Sequence, residues 1–420
     1  MSMNYLNRHI TKRIQDALKV SPVVYLNGAR QTGKSTLART IAPQIGKNNQ
    51  PAEYLTFDRP TLMAAASAAP ESFLTGYDSA VIIDEVQLVP ELFRALKQVV
   101  DEMRFTNKES ANGKYLLTGS ANILALPKLA DALVGRAAIM TLYPFTAAEA
   151  THYNAGGLER IMKMDFKGIN DRGLSLIDAI KKATFPEVST LTGEERRIWL
   201  DGYISSMLQR DVRQIAELEK SSALPHLLSI LAARTGCLMN DSDIARDIDM
   251  NHVTAKFYRS ILKLMFLTFD VRPWFRNIGK RLVKTPKGYL LDTTMICHLL
   301  DYNIDEIVKT KPELFGHLVE NFVATEIIKQ LSNSNINAEL YHFRTSDGKE
   351  VDFVLEKPDG SVFGIEVKKS ESVTIRDFKG IKAFEELTGK DFAGGVVLYA
   401  GKDAVPFGKN LWAVPFFALW

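Results

Sequence analysis

The sequence predicts an α/β protein. It has a parallel-sheet core with helices on both faces, then a helical region with a helix-turn-helix unit, then a second α/β domain. Three observations predict it. A short apolar run, Val23 to Leu26, leads into GARQTGKST and then into helical periodicity. Buried-type strands alternate with helices as far as residue 142. Beyond residue 146 the pattern turns helical, and near residue 340 it becomes strand-rich again.

The stretch Gly28 to Thr36 fits G-x-x-x-x-G-K-[ST] between a strand and a helix, the signature of a phosphate-binding P-loop. Gly28 and Gly33 let the backbone wrap closely around phosphate oxygens, and Ala29, Arg30, Gln31 and Thr32 supply the N–H groups between them. The helix that follows offers its positive end to the anion. Lys34 reaches the β and γ phosphates of a nucleotide, and the Ser35 hydroxyl, next to Thr36, is placed to ligate Mg²⁺. ATP and Mg²⁺ are therefore the expected cofactors.

About 50 residues on, Ala80-Val81-Ile82-Ile83 ends in Asp84-Glu85 at the carboxyl edge of a buried strand, where open α/β sheets bind ligands. Asp84 is expected to hold the Mg²⁺ shell and Glu85 to orient the attacking water. Further strands are expected at Glu53 to Asp58, Lys114 to Thr118 and Ala137 to Leu142. An amphipathic helix from Asn4 to Lys19 precedes them, with Leu6, Ile10, Ile14 and Leu18 on its packing face. Thr118, Ser120 and Asn122 follow the fourth strand as alternative sensors of the γ-phosphate, with Ser120 preferred.

GARQTGKS, VIIDE, LLTGS and the arginine before the last core strand resemble the AAA-type ATPases. The resemblance implies that Arg136 acts as a finger toward the nucleotide of a neighbouring subunit, and so implies self-association. A surface ion pair is the alternative role for Arg136.

The chain has 420 residues, 46% hydrophobic and 24% charged, with a net charge of +3. That length suggests several domains, and any nucleic-acid affinity must come from a local patch. Cys237 and Cys297 stand far apart, which excludes a disulfide scaffold or zinc ribbon and suits a reducing cytoplasm. MSMNYLNRHITKR carries charge where a signal peptide needs its apolar run, and no apolar stretch approaches the ~18 residues of a membrane span. A cytoplasmic protein with no membrane partner is expected.

The expected boundaries are 1–146 for the ATPase core, 147–235 for a helical lid, 236–300 for a winged helix-turn-helix and 301–420 for the last domain. In the third, Asp241 to Ile248 and His252 to Leu264 form two helices. Val253, Phe257, Ile261 and Leu264 are expected to face inward, with His252, Lys256, Arg259 and Lys263 opposite. Strands at Phe266 to Val271 and Arg281 to Leu291 follow as a wing. Asn251 to Leu290 holds nine Lys/Arg against one acid, Asp270, a local net of +8. DNA is the expected partner, held by Lys256, Arg259, Lys263, Lys280, Arg281 and Lys284.

In the last domain a helix around His317 to Leu331 carries Glu320. Val351, Phe353 and Leu355 alternate inward, so Asp352 projects from the opposite face, and Glu366 and Lys368 share a face of the next strand. Two carboxylates and a lysine on adjacent strands can bind Mg²⁺ and position a water for phosphodiester attack. The set resembles the restriction-endonuclease-like superfamily, with Asp352, Glu366 and Lys368 in its D, spacer, (D/E)-x-K pattern and Glu320 in the place of its helical acid. That resemblance makes Glu320, Asp352 and Glu366 metal ligands and Lys368 catalytic, with a retained binding domain or a surface salt-bridge cluster as the alternative. The whole order, with YPF at Tyr143, FPEV at Phe185, WFRNIGKRLVKTPKGYLLD at Trp274, EVDFVLE and IEVKK, resembles a prokaryotic family of ATP-binding proteins. The C-terminal half of that family is a domain of unknown function. DNA-coupled ATP hydrolysis is the function expected first, and a nucleotide-dependent switch that recruits a protein is the alternative.

Overall fold

The computed structural model describes residues 5–47, 50–120, 132–211 and 223–420. They form two compact units. The first comprises residues 1–144 with Leu264–Phe266, and the second residues 145–263 and 267–420.

The first unit is a five-stranded sheet in which every pairing is parallel. Its strands are β1 (Val23–Asn27), β2 (Glu53–Thr56), β3 (Val81–Asp84), β4 (Tyr115–Thr118) and β5 (Ala137–Thr141), in the order β2-β3-β4-β1-β5. Neighbouring residues on each strand face opposite ways, and the core divides accordingly. Tyr25, Val81, Ile83, Tyr115 and Leu117 pack on one face with helix Leu92–Thr106. Val24, Leu26, Ile82 and Leu116 pack on the other, with helix α1 (Thr11–Val20) and helix α2 (Lys34–Ile41). Burial on both faces is why these strands read as unbroken apolar runs. The loop from β1 to α2 and the end of β3 therefore open at the same carboxyl edge. The N-terminal helix begins at Thr11, later than its apolar spacing suggests.

The second unit is built on an eight-stranded mixed sheet in the order β12-β13-β11-β10-β9-β8-β6-β7. These strands are β6 (Thr268–Pro273), β7 (Lys287–Leu290), β8 (Glu339–Arg344), β9 (Glu350–Glu356), β10 (Val362–Lys368), β11 (Phe392–Tyr399), β12 (Val405–Gly408) and β13 (Leu411–Pro415). Helix α3 (Leu224–Ala233) leads to the two expected short helices, α4 (Asp241–Asp247) and α5 (His252–Leu264). A short helix α6 (Ile278–Val283) and the long α7 (Pro312–Asn333) follow. Helix α8 (Lys379–Thr388) supplies Ile381 and Phe384 to a core shared with β8, β9 and β11.

Four features differ from expectation. The second wing strand is shorter than expected, because Ile278–Val283 is helical and β7 starts only at Lys287. The hairpin is not a free wing: β6 pairs in parallel with β8, Arg272 opposite Tyr341, so the boundary drawn at residue 300 cuts one continuous sheet. Helix α5 is also rotated from the expected face. It buries Ala255, Tyr258, Arg259, Ile261 and Leu262, while Val253 is 65% and Phe257 49% exposed. Lastly, β9 is buried from Val351 to Leu355 with Asp352 included, because both faces of the sheet are covered.

Candidate functional site

The P-loop needs its glycines for two separate reasons. At Gly28 (φ 144°) an added Cβ would lie 2.2 Å from the Leu142 carbonyl oxygen. Gly33 has φ 89° where the chain turns into α2, a conformation that favours glycine. The loop is braced from inside. Thr32 Oγ1 donates to the Ala29 carbonyl at 2.9 Å, and the buried Arg8 donates to the carbonyls of Thr32 (2.7 Å) and Tyr143 (2.6 Å). Arg8 lies ahead of α1 in sequence that otherwise reads as packing, with no local signal to mark it.

Lys34 is buried and donates to the carbonyls of Gly28 (3.0 Å) and Ala29 (2.8 Å). Burial lowers its pKa to about 8, against the pull of Glu85 and Asp84. An ammonium held only by loop carbonyls can exchange them for phosphate oxygens. Thr36 and Gln31 are exposed.

Asp84 is buried and heavily hydrogen-bonded. It accepts from Ser35 Oγ at 3.0 Å, from Thr118 Oγ1 and from the Tyr54 hydroxyl. Tyr54 in turn lies under the Arg39 guanidinium, 4.4 Å from its ring centre. A hard carboxylate and a hydroxyl side by side, next to Lys34, suit a nucleotide-bound Mg²⁺, which Ser35 and Asp84 would hold. Of the three alternatives after β4, Thr118 touches Asp84, whereas Ser120 touches Gln87 at 3.2 Å. Asn122 lies outside the described residues. Glu85 stands in the left-handed region at φ 58° and accepts a hydrogen bond from Gln87 Nε2. Tyr54 and Gln87 were missed in the sequence: only the fold brings them to Asp84 and Glu85.

Arg136 makes a two-pronged ion pair with Asp101, Nε to Oδ1 at 2.7 Å and Nη2 to Oδ2 at 2.6 Å. This is the alternative role named for it, and its Nη1 also donates to the Val134 carbonyl at 3.0 Å.

In the second unit, Glu320, Asp352, Glu366 and Lys368 come together from α7, β9 and β10, and a further lysine joins them. Lys287 of β7 is buried with its Nζ 2.9 Å from Glu320 Oε1 and 3.4 Å from Asp352 Oδ1. The Tyr289 hydroxyl donates to Glu320 Oε1 at 2.7 Å, the Val367 N–H to Asp352 Oδ2 at 2.9 Å, and Lys368 to Glu366 Oε1 at 2.7 Å. Burial, then the Asp352 charge, raises Glu366 to about 8 and Glu320 to about 7. For Lys287, burial alone would lower the pKa, but Asp352 and Glu320 outweigh it and hold the ammonium charged. Lys287 and Tyr289 sit within the TPKGYLLD stretch. That stretch carried a family resemblance, but its sequence alone names no partner for them.

The basic residues of 251–290 divide into two groups. Arg259 is 7% exposed and pairs with Asp241 and Asp270. Lys263 pairs with Asp270 at 2.8 Å. The buried Arg281 pairs with Glu356 and lies over the rings of Trp274 and Tyr341. With Lys287, four of the nine cations are thus in ion pairs, so the local +8 overstates the charge presented to solvent. Lys256, Lys280 and Lys284 are exposed, as are Arg272 and Arg276.

Comparison with known proteins follows the same division. Residues 20–151 match the family described as AAA domain, and residues 175–306 and 315–419 match two domains of unknown function. An uncharacterized protein of Mycobacterium tuberculosis is 28% identical over 412 residues, 97% of this chain and 83% of that one. An uncharacterized protein of Haemophilus influenzae is 24% identical over 374 residues, 85% and 84% of the two chains. Among solved structures, the Walker-type ATPase of Pyrococcus abyssi aligns with a TM-score of 0.40 at 15% identity, over 70% of this chain and 96% of its own. No helix among the described residues is long and apolar enough to cross a membrane. The AAA match falls on the stretch that carries Lys34, Ser35, Asp84 and Glu85, and this part of the chain is similar to AAA-type, P-loop nucleotide-binding domains.

Proposed function

We propose that the protein is a cytoplasmic, Mg²⁺-dependent ATP hydrolase whose C-terminal unit engages DNA. The observation that carries the hydrolase is the meeting of Lys34, Ser35, Asp84 and Glu85 at one edge of the sheet. In this reading Lys34 leaves the Gly28 and Ala29 carbonyls for the β and γ phosphates, and the loop N–H groups hold the phosphate chain. Ser35 and Asp84 would hold a Mg²⁺ that arrives with the nucleotide, and that ion would supply charge neutralisation at the transferred group. Glu85 orients the attacking water once its carboxylate leaves Gln87. Thr118 and Ser120 then flank the reacting phosphate, and Arg136 would act in an assembly only by giving up Asp101.

DNA engagement rests on the exposed cations Lys256, Lys280 and Lys284. A second reading, a nucleotide-dependent switch that recruits a protein, is favoured by apolar exposure beside those cations. Ile278 and Leu282 of α6 are 68% and 65% exposed.

Steady-state ATP turnover with duplex, single-stranded or branched DNA, against a Lys34→Ala control, tests the two readings. Stimulation by one form, with binding that weakens steeply in salt, is the expected result. Unchanged turnover with no DNA bound at low salt would favour the protein-recruiting switch.

A further inference from the structure

The carboxylates Glu320, Asp352 and Glu366 are the residue types that hold a divalent ion, but the space between the first two is filled. Lys287 Nζ lies there, 2.9 Å from Glu320 Oε1 and 3.4 Å from Asp352 Oδ1, on a buried side chain. Its place is fixed by the sheet. β7 pairs antiparallel with β6, and β6 with β8, so Lys287 reaches the cluster from the far edge of the same sheet that carries Asp352 and Glu366.

The donor set is also occupied. Glu320 Oε1 accepts from both Lys287 and the Tyr289 hydroxyl. Asp352 has Lys287 on one oxygen and the Val367 N–H on the other, and Glu366 Oε1 has Lys368. Of the carboxylate oxygens, Glu366 Oε2 is buried without a described partner and Glu320 Oε2 accepts no described hydrogen bond, two oxygens where a divalent ion takes about six. Among the described residues, no three His, Cys, Asp or Glu side chains gather closely enough to hold a metal. A Mg²⁺ bridging Glu320 and Asp352 at about 2.1 Å from each oxygen would sit in the ammonium's own volume. It would also face that charge at short range in a site shielded from water.

We propose that the Lys287 ammonium is the resident cation of this cluster, and that the protein binds no divalent metal between Glu320 and Asp352. On this reading Glu320 and Asp352 hold the lysine in place of the expected metal, and metal-assisted cleavage at Lys368 loses that pair of ligands. The C-terminal unit becomes a binding domain whose carboxylate cluster is a structural ion network. The nucleotide site of the first unit plays no part in it.

The test is the number of Mn²⁺ ions bound by the nucleotide-free full chain, followed by the loss of the free-ion electron paramagnetic resonance signal. Four proteins are compared: wild type, Asp352→Asn, Lys287→Ala, and Lys287→Ala with Asp352→Asn, each checked for folding by its melting curve. Wild type and Asp352→Asn should bind the same number. Lys287→Ala should gain one ion, which the double variant loses. A wild-type site that disappears in Asp352→Asn would overturn the proposal, as would a folded Lys287→Ala that gains nothing. Should Lys287→Ala fail to fold, the comparison of wild type with Asp352→Asn, repeated with Glu320→Gln, still decides. ATP turnover is not read in this titration, so either result leaves the hydrolase reading standing on its own test.

Discussion

Glu85 reaches its position through a left-handed backbone conformation, φ 58°, which disfavours a side-chain-bearing residue by about 1–2 kcal/mol. The strain turns the chain sharply after β3 and leaves the carboxylate beside Gln87, at the edge where Lys34 and Asp84 meet. Replacing Glu85 by Gln keeps the shape and removes the charge proposed to orient water. Glu85→Gln should bind ATP as the wild type does and turn it over at least ~10²-fold more slowly. A filter assay for retained nucleotide, run beside phosphate release, checks both halves. Equal turnover would remove Glu85 from the chemistry. The P-loop residues were legible because their roles are local: spacing, a glycine at each turn and a helix start within nine residues. Tyr54 and Gln87 were not, since nothing near them in sequence signals that β2 lies beside β3 or that the turn after β3 folds back on Glu85.

Helix α5 and the β6–β7 hairpin show how a charge count over a window misleads. Within 251–290 the only acid is Asp270, but Asp241, Glu320, Asp352 and Glu356 come to these cations from outside the window. Arg259 is the clearest case. Its helical spacing places it with Lys256 and Lys263, yet it is buried between two aspartates while the apolar Val253 and Phe257 are exposed. Arg259→Ala should therefore destabilise the second unit, by about 1–3 kcal/mol, because Asp241 loses its partner and Asp270 keeps only Lys263. It should leave the salt dependence of DNA binding by the remaining folded protein unchanged. Lys280→Glu and Lys284→Glu should do the reverse, leaving the urea midpoint in place and reducing the salt slope by ~1 for each phosphate no longer neutralised. A normal urea midpoint for Arg259→Ala would contradict the buried pairing.

Across the second unit, α7 fastens distant stretches of chain through side chains that water does not reach. Glu326 accepts from the Ala147 N–H at 3.1 Å and Gln330 from the Leu158 N–H at 2.8 Å. Lys329 donates to the carbonyls of Phe145 and Ala183, both at 2.9 Å. Burial raises Glu326 from 4.5 to about 7, with Lys329 and the Ala147 N–H pulling the other way. The folded protein then holds a proton that the unfolded chain has released, so stability falls as pH rises from about 4.5 through about 7. The whole effect is roughly 3 kcal/mol. Glu326→Gln should flatten that part of the urea-stability profile between pH 5 and 8, and an unchanged slope would show that Glu326 is ionised in the fold.

The eight-stranded sheet has one more consequence, for inheritance. The two stretches that match separate domain families, 175–306 and 315–419, lie on opposite sides of the β6–β8 pairing and share Lys287's ion network. Neither can be moved alone into another protein without leaving an unmet strand edge and an unpaired buried charge. The joint between them is fixed, and recombination that respects this fold must carry both stretches as a single cassette.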